Sequence, residues 1–181
     1  MTVLIPKHGG FRKLRSFQTA QKIYDLTVVF CDLYIDRFSR TKDQMVQAAR
    51  SGTQNIAEGS LASATSKKIE LKLTGIARAS LGELLLDYED YLRQKGLNQW
   101  DKDDHRTIEL RKKLSDRSDW TDKSDWSDIS EEYFCNIMIS LINQASYLLW
   151  KQIQRLEEDF LKEGGFTERM YKARKKVKDY K

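Results

Sequence analysis

A chain of 181 residues with 40% hydrophobic content has enough apolar side chain for one core, so a single domain with appendages is expected. Its single proline, Pro6, leaves nothing beyond position 6 to interrupt a helix. The net charge of +5 is unevenly spread: residues 1–15 carry +4 and residues 166–181 carry +5, which leaves about −4 for the chain between them.

Four long segments repeat their apolar residues at a period near 3.6, and no segment alternates as a strand does. The expected fold class is therefore all-α: an antiparallel up-and-down four-helix bundle with a long connection between its third and fourth helices and a basic C-terminal suffix. Residues 1–15 form a basic N-terminal arm, residues 16–163 the bundle, with residues 97–127 inserted, and residues 164–181 the suffix.

The first helix is expected over Ser16 to Phe38, capped by Ser16, with Phe17, Ala20, Ile23, Tyr24, Thr27, Phe30, Cys31 and Tyr34 facing inward. No apolar run before it is long enough for a signal peptide. Cys31 and Cys135 lie on apolar stretches without metal-ligand or redox spacing, as buried free thiols do in a reducing compartment. Both features point to the cytoplasm.

The second helix is expected over Lys42 to Glu58, with Gly59 as its left-handed stop. Met45, Ala48, Ala49, Gly52 and Ile56 give it a face of mostly small residues that admits a close neighbour. Beside that face, Gln44, Gln47, Ser51, Asn55 and Glu58 recur every three or four residues and form one polar line. Burying such groups unpaired costs about 1–3 kcal/mol each. The economical arrangement is a hydrogen-bond network to Arg78, Ser80 and Glu83 of the third helix, expected over Ser66 to Lys95 with Gly96 as its stop.

The long connection contains DDHRTIELRKKL, which has the pattern of a short exposed helix. It then repeats Ser-Asp-Trp, placing Trp120 and Trp126 six residues apart. Loops of this length are functional or disordered, and two large aromatics argue for docking. The fourth helix is expected to start at an Asp128–Glu131 capping box and stop at Gly164-Gly165. Its stretch from Tyr133 to Trp150 carries no charge, yet Asn136, Ser140 and Asn143 on one face mark a soluble helix rather than a membrane span. A helix without charge on any face is covered on more than one side, which points to self-association.

QNIAEGS followed by ARASLGELLLDYEDYL resembles the four-helix-bundle family first named for proteins encoded in intervening sequences of 23S ribosomal RNA genes. The matching positions are Asn55, Ile56, Ala57, Glu58 and Gly59, then Ala77, Ser80, Leu81 and Glu83. The ending GGFTERMYKARKK resembles a branch of that family with a C-terminal suffix. Ser60, Leu61 and Ala62 depart from the aromatic or glycine and then arginine that many members carry there. The resemblance implies assembly as a ring, typically a pentamer. It also implies kinship with the accessory protein of diversity-generating retroelements, which binds nucleic acid and its reverse transcriptase.

The functional expectation is a non-enzymatic, oligomeric nucleic-acid-binding or scaffold protein. Its phosphate contacts are Arg12, Lys13, Arg15, Arg169, Lys172, Arg174, Lys175, Lys176 and Lys178. The RNA or DNA would be held without base reading. The alternative is a protein-interaction module that docks a protein partner through residues 98–127. Enzyme chemistry lacks its pieces: neither His8 nor His105 follows a Glu at the spacing of a di-iron bundle, no phosphate-cradling glycine loop is present, and Asp87, Glu89 and Asp90 read as a solvated face. No cofactor, metal or membrane partner is expected.

Overall fold

The computed structural model describes residue 5 and residues 8–116 and 129–179. Among the described residues the chain is all-helical, without strands. A 3-10 turn, Phe11–Lys13, precedes α1 (Arg15–Tyr34), α2 (Arg40–Ala62), α3 (Lys67–Lys95), α4 (His105–Asp116), α5 (Glu131–Glu163) and α6 (Phe166–Asp179). α1 packs on α2 and α5, α3 packs on the same two helices, and α4 rests on α5.

Serine hydroxyls start three of these helices by accepting otherwise unpaired backbone N–H groups: Ser39 from Thr41 at 3.2 Å, Ser66 from Ile69 at 3.2 Å and Ser130 from Tyr133 at 3.3 Å. Gly96 and Gly164 end α3 and α5 with φ of 67° and 73°, a backbone region that side-chain-bearing residues avoid.

Several expected boundaries move. Ser16 does not cap α1; it is buried, and its hydroxyl donates to Gln152 Oε1 at 2.8 Å, a partner on α5 that sequence neighbours do not reveal. α1 stops at Tyr34 rather than Phe38, because Ile35 turns extended and the Asp36 carboxylate accepts the Phe38 N–H at 2.7 Å. α2 runs past Gly59 to Ala62. That glycine is helical, and its missing side chain faces α3, where a Cβ would lie 3.4 Å from both the Glu70 carbonyl and Leu73 Cβ. Ser130 caps α5, whereas Asp128 lies outside the described residues.

Phe30 of α1 is the centre of the core. Its ring is fully buried and meets Tyr34 of its own helix, Tyr88 and Tyr91 of α3 and Phe134 of α5, with centroids 4.9–5.4 Å apart and mostly edge-to-face. Each such pair contributes about 0.5–1.5 kcal/mol beyond area burial. The hydroxyl that accompanies this cluster inward is satisfied: Tyr88 donates to Thr27 Oγ1 at 3.1 Å, and Thr27 donates to the Ile23 carbonyl at 2.7 Å. Burial pushes the Tyr88 phenol well above its ordinary pKa, so it stays a neutral donor.

α2 and α3 approach closely at Gly52, where an added Cβ would stand 2.8 Å from Cδ2 and 2.9 Å from Cγ of the buried Leu81. Gly52→Ala is therefore expected to destabilise the protein by about 1–2 kcal/mol in chemical denaturation, overpacking outweighing the gain in helix propensity. Gly82→Ala, at a site with no atom within 4 Å, should stabilise by about 0.5–1 kcal/mol. Equal effects at the two sites would remove close packing as the reason for Gly52.

Candidate nucleic-acid interface

Residues 8–15 do not trail away from the body of the protein. Gly9 adopts φ 81° and lies against Leu61 near the end of α2, where a Cβ on the glycine would meet Leu61 Cδ2 at 2.9 Å. The following 3-10 turn is closed by Lys13 N–H donating to the Gly10 carbonyl at 3.0 Å, and Phe11 packs edge-on against Phe17 at 4.8 Å. Gln18 Nε2 donates to the Arg12 carbonyl at 2.9 Å, while the Arg12 guanidinium lies 4.8 Å over the Phe11 ring. Arg12, Lys13 and Arg15 are thus exposed cations on an ordered turn.

The suffix is a helix. After Gly164, the Gly165 N–H donates to Glu168 Oε2 at 2.8 Å, the reciprocal half of a capping box, and α6 begins. Arg169 fastens it to the body: Nη2 donates to the Ala64 carbonyl at 2.9 Å, beyond the last turn of α2, and the guanidinium sits 6.0 Å over Phe166. The Arg169 Nε is buried without a hydrogen-bond partner. A helix C-terminus is the negative pole of its dipole and attracts cations. Lys172, Arg174, Lys175, Lys176 and Lys178 continue along α6 and are all exposed.

The two basic segments are therefore each attached to the region where α2 ends. Leu61 in the last turn of α2 receives the N-terminal turn, and Ala64 just beyond that turn receives Arg169. Nothing in the sequence linked the two ends.

The second group of singled-out residues does something different. The expected cross-helix network is absent among the described residues: Asn55 Nδ2 donates to the Ser51 carbonyl of its own helix at 2.8 Å, and Gln47 Nε2 donates to Ser51 Oγ at 3.2 Å. Glu58, Arg78 and Glu83 are exposed, and Ser80 is half-buried. The close contact uses the small face of α2, which turns the polar line outward. Gln44, Gln47, Ser51, Glu83 and Asp87 line an open cleft of about 650 Å³ between α2 and α3. Partial burial raises the Asp87 carboxyl above its ordinary pKa, and Asp90 and Glu83 raise it further. Burial pushes both Cys31 and Cys135 up to about 12, so neither is a thiolate nucleophile at neutral pH. Among the described residues no group of three or more His, Cys, Asp or Glu is placed to hold a metal ion.

The described part of the long connection is stapled to α5. Asn136 Oδ1 accepts the Trp100 N–H at 2.8 Å, and Asn136 Nδ2 donates to the carbonyls of Asn98 at 3.0 Å and Glu132 at 2.7 Å. Glu132 accepts the Asn98 N–H at 3.1 Å and the Trp100 indole N–H at 3.1 Å. Arg106 of α4 stacks 4.5 Å over Trp100, whose other neighbour is Tyr133 at 5.2 Å. α4, expected to be exposed, buries Leu110 and Thr107. Trp100 and Asn136 are the anchors that sequence reasoning missed. The available signal was an Asn within an otherwise apolar run, which must find partners when buried. Trp120 and Trp126 lie outside the described residues.

This staple also accounts for half of the charge-free stretch. Phe134 to Ile139 are buried within one chain, whereas Tyr147 and Trp150 remain exposed, with the Lys151 ammonium 4.9 Å from the Trp150 ring. Among the described residues no helix is long and apolar enough to cross a membrane. No protein-family model matches the chain, and no curated protein or solved structure matches it either.

Asn136→Ala would leave the buried Trp100 N–H and Asn98 carbonyl unpaired and is expected to cost about 2–3 kcal/mol, with faster hydrogen exchange at the Trp100 amide. The hydrogen bonds from Asn98 and then Trp100 lower the Glu132 pKa below its ordinary 4.5. Its contribution is therefore complete above that value and is lost as pH falls through the lowered folded pKa. Protection at Trp100 that ignores both the substitution and acidification would refute this fastening.

Proposed function

We propose that this chain is a non-enzymatic, oligomeric protein that holds a nucleic-acid backbone through its paired basic ends. The observation that supports this reading is the attachment of both basic segments near the end of α2, Gly9 against Leu61 and Arg169 on the Ala64 carbonyl just beyond it. Flexible tails would each lose conformational freedom on meeting phosphate. A folded turn and a helix present their cations with that cost already met. The contact is to phosphate, without base reading, since nothing resembles a groove-reading helix-turn-helix or a base-stacking sheet.

The scaffold in this reading is an antiparallel up-and-down four-helix bundle of α1, α2, α3 and α5. Two contacts support the opposed directions of α1 and α5: Ser16 near the start of α1 meets Gln152 late in α5, and Tyr34 at the end of α1 reaches Ile129 just before α5. Exposed Tyr147 and Trp150 on the charge-free half of α5 support self-association. The resemblance to the intervening-sequence protein family adds a ring as the form of assembly. A ring would multiply a weak phosphate contact by its subunit number.

Binding of labelled duplex DNA and structured RNA across a salt series tests the proposal, using the full chain and a version ending at Glu163. Each phosphate neutralised contributes roughly −0.9 to the slope of log K against log salt on duplex DNA. Removal of α6 should flatten the slope by several such increments, and Arg12→Ala/Lys13→Ala/Arg15→Ala should flatten it further. No binding at low salt by a correctly assembled oligomer would instead assign the function to protein docking through residues 98–127. Light scattering that finds a monomer at micromolar concentration would remove the self-association part.

A further inference from the structure

The cations of α6 surround an apolar stripe that phosphate binding does not use. Phe166, Met170, Ala173 and Val177 follow one another at spacings of four, three and four, the pattern of a coiled-coil seam over two heptads. Phe166 is half-buried beside Arg169 at the attachment point. Met170 and Val177 are 42% and 65% exposed, and Tyr171 next to them is 70% exposed. A continuous open face runs along Met170, Ala173 and Val177 with the stems of Arg174 and Lys178. The bundle therefore covers the first turn of the stripe and leaves the rest open.

Two physical constraints define what fits there. A helix of 14 residues is marginal in water by itself, and its stability has to come from covering its apolar side. Of the four positions flanking the stripe, 169, 174 and 176 are Arg, Arg and Lys, and only Thr167 is neutral. Pairing of α6 with a second α6 would set these cations against each other, whereas a surface with carboxylates at the corresponding positions would pair with them.

We propose that α6 is a recognition helix whose Met170, Ala173 and Val177 insert into the apolar seam of an acid-rimmed amphipathic helix on a protein partner, with Arg174 and Lys176 pairing its carboxylates. This surface is separate from residues 98–127; it shares Arg174 and Lys176 with the phosphate contacts, whereas Met170, Ala173 and Val177 belong to it alone and Lys172 and Lys175 lie on the opposite side of α6.

The test uses the full chain and a three-heptad peptide with Leu at its a and d positions and Glu at its e and g positions. Glutamate repulsion keeps this peptide largely unfolded alone at neutral pH. The expected result is binding with a gain of helix in circular dichroism. Binding should weaken about tenfold or more in Met170→Gln/Val177→Gln, a change at exposed sites that preserves every charge, while nucleic-acid affinity changes by less than about twofold. Lys172→Gln/Lys175→Gln should show the reverse preference. Equal binding of a scrambled peptide of the same composition would reduce the contact to charge and overturn the proposal. So would absence of peptide binding, a change of oligomer mass in the seam variant, or seam-dependent binding to phosphatidylglycerol vesicles that the peptide does not displace. Failure of the nucleic-acid reading would leave this result unchanged.

Discussion

Every long helix but α2 is oriented by the ring of Phe30. Rings from α1, α3 and α5 can surround one phenylalanine edge-to-face only at a fixed rotation and height of each helix, so this contact sets the register of three helices together. The Tyr88 hydroxyl enforces the same register, because its bond to Thr27 exists only when α1 and α3 are level at that point. A displaced register would leave a phenol buried without a partner, at a cost comparable to the gain from an aromatic pair. α2 is placed by a different principle, the absence of side-chain volume at Gly52 and Gly59, which lets α3 come close along two turns.

Outward of that core, the structure handles polar groups by pairing them locally or by stapling. The polar line of α2 is satisfied along its own helix and by solvent. Asn136 bonds its own helix at the Glu132 carbonyl and, lying under residues 98–100, also takes their backbone groups as partners. The long connection is therefore bound to α5 through its backbone, and α4 follows as a cover held by Arg106 on Trp100. A helix without charge over eighteen residues becomes compatible with water because another segment of the same chain shields its first half.

The charged ends obey a third rule. The N-terminal turn lies against the Leu61 side chain at the end of α2, and Arg169 donates to the Ala64 carbonyl just past it, near the negative end of the helix dipole. Two readings of α6 meet on one short helix. Its charged side suits a phosphate backbone, and its narrow apolar stripe suits a helix with acidic rims.

The sequence alone determined the helical class, the starts at Ser66 and the stops at Gly96 and Gly164, and most of the inward face of α1. These depend on periodicity, on hydroxyl capping and on positive φ, which are properties of a few neighbouring residues. Only the tertiary structure decided what distant residues do together: that Ser16 serves α5 rather than its own helix, that Gly59 makes room instead of ending a helix, that Asn55 bonds within α2, and that Trp100 is an anchor. The attachment of Gly9 to Leu61 and of Arg169 to Ala64 belongs to the same class. Local sequence carries no trace of either attachment, because both are made to the end of α2, whose position the core fixes.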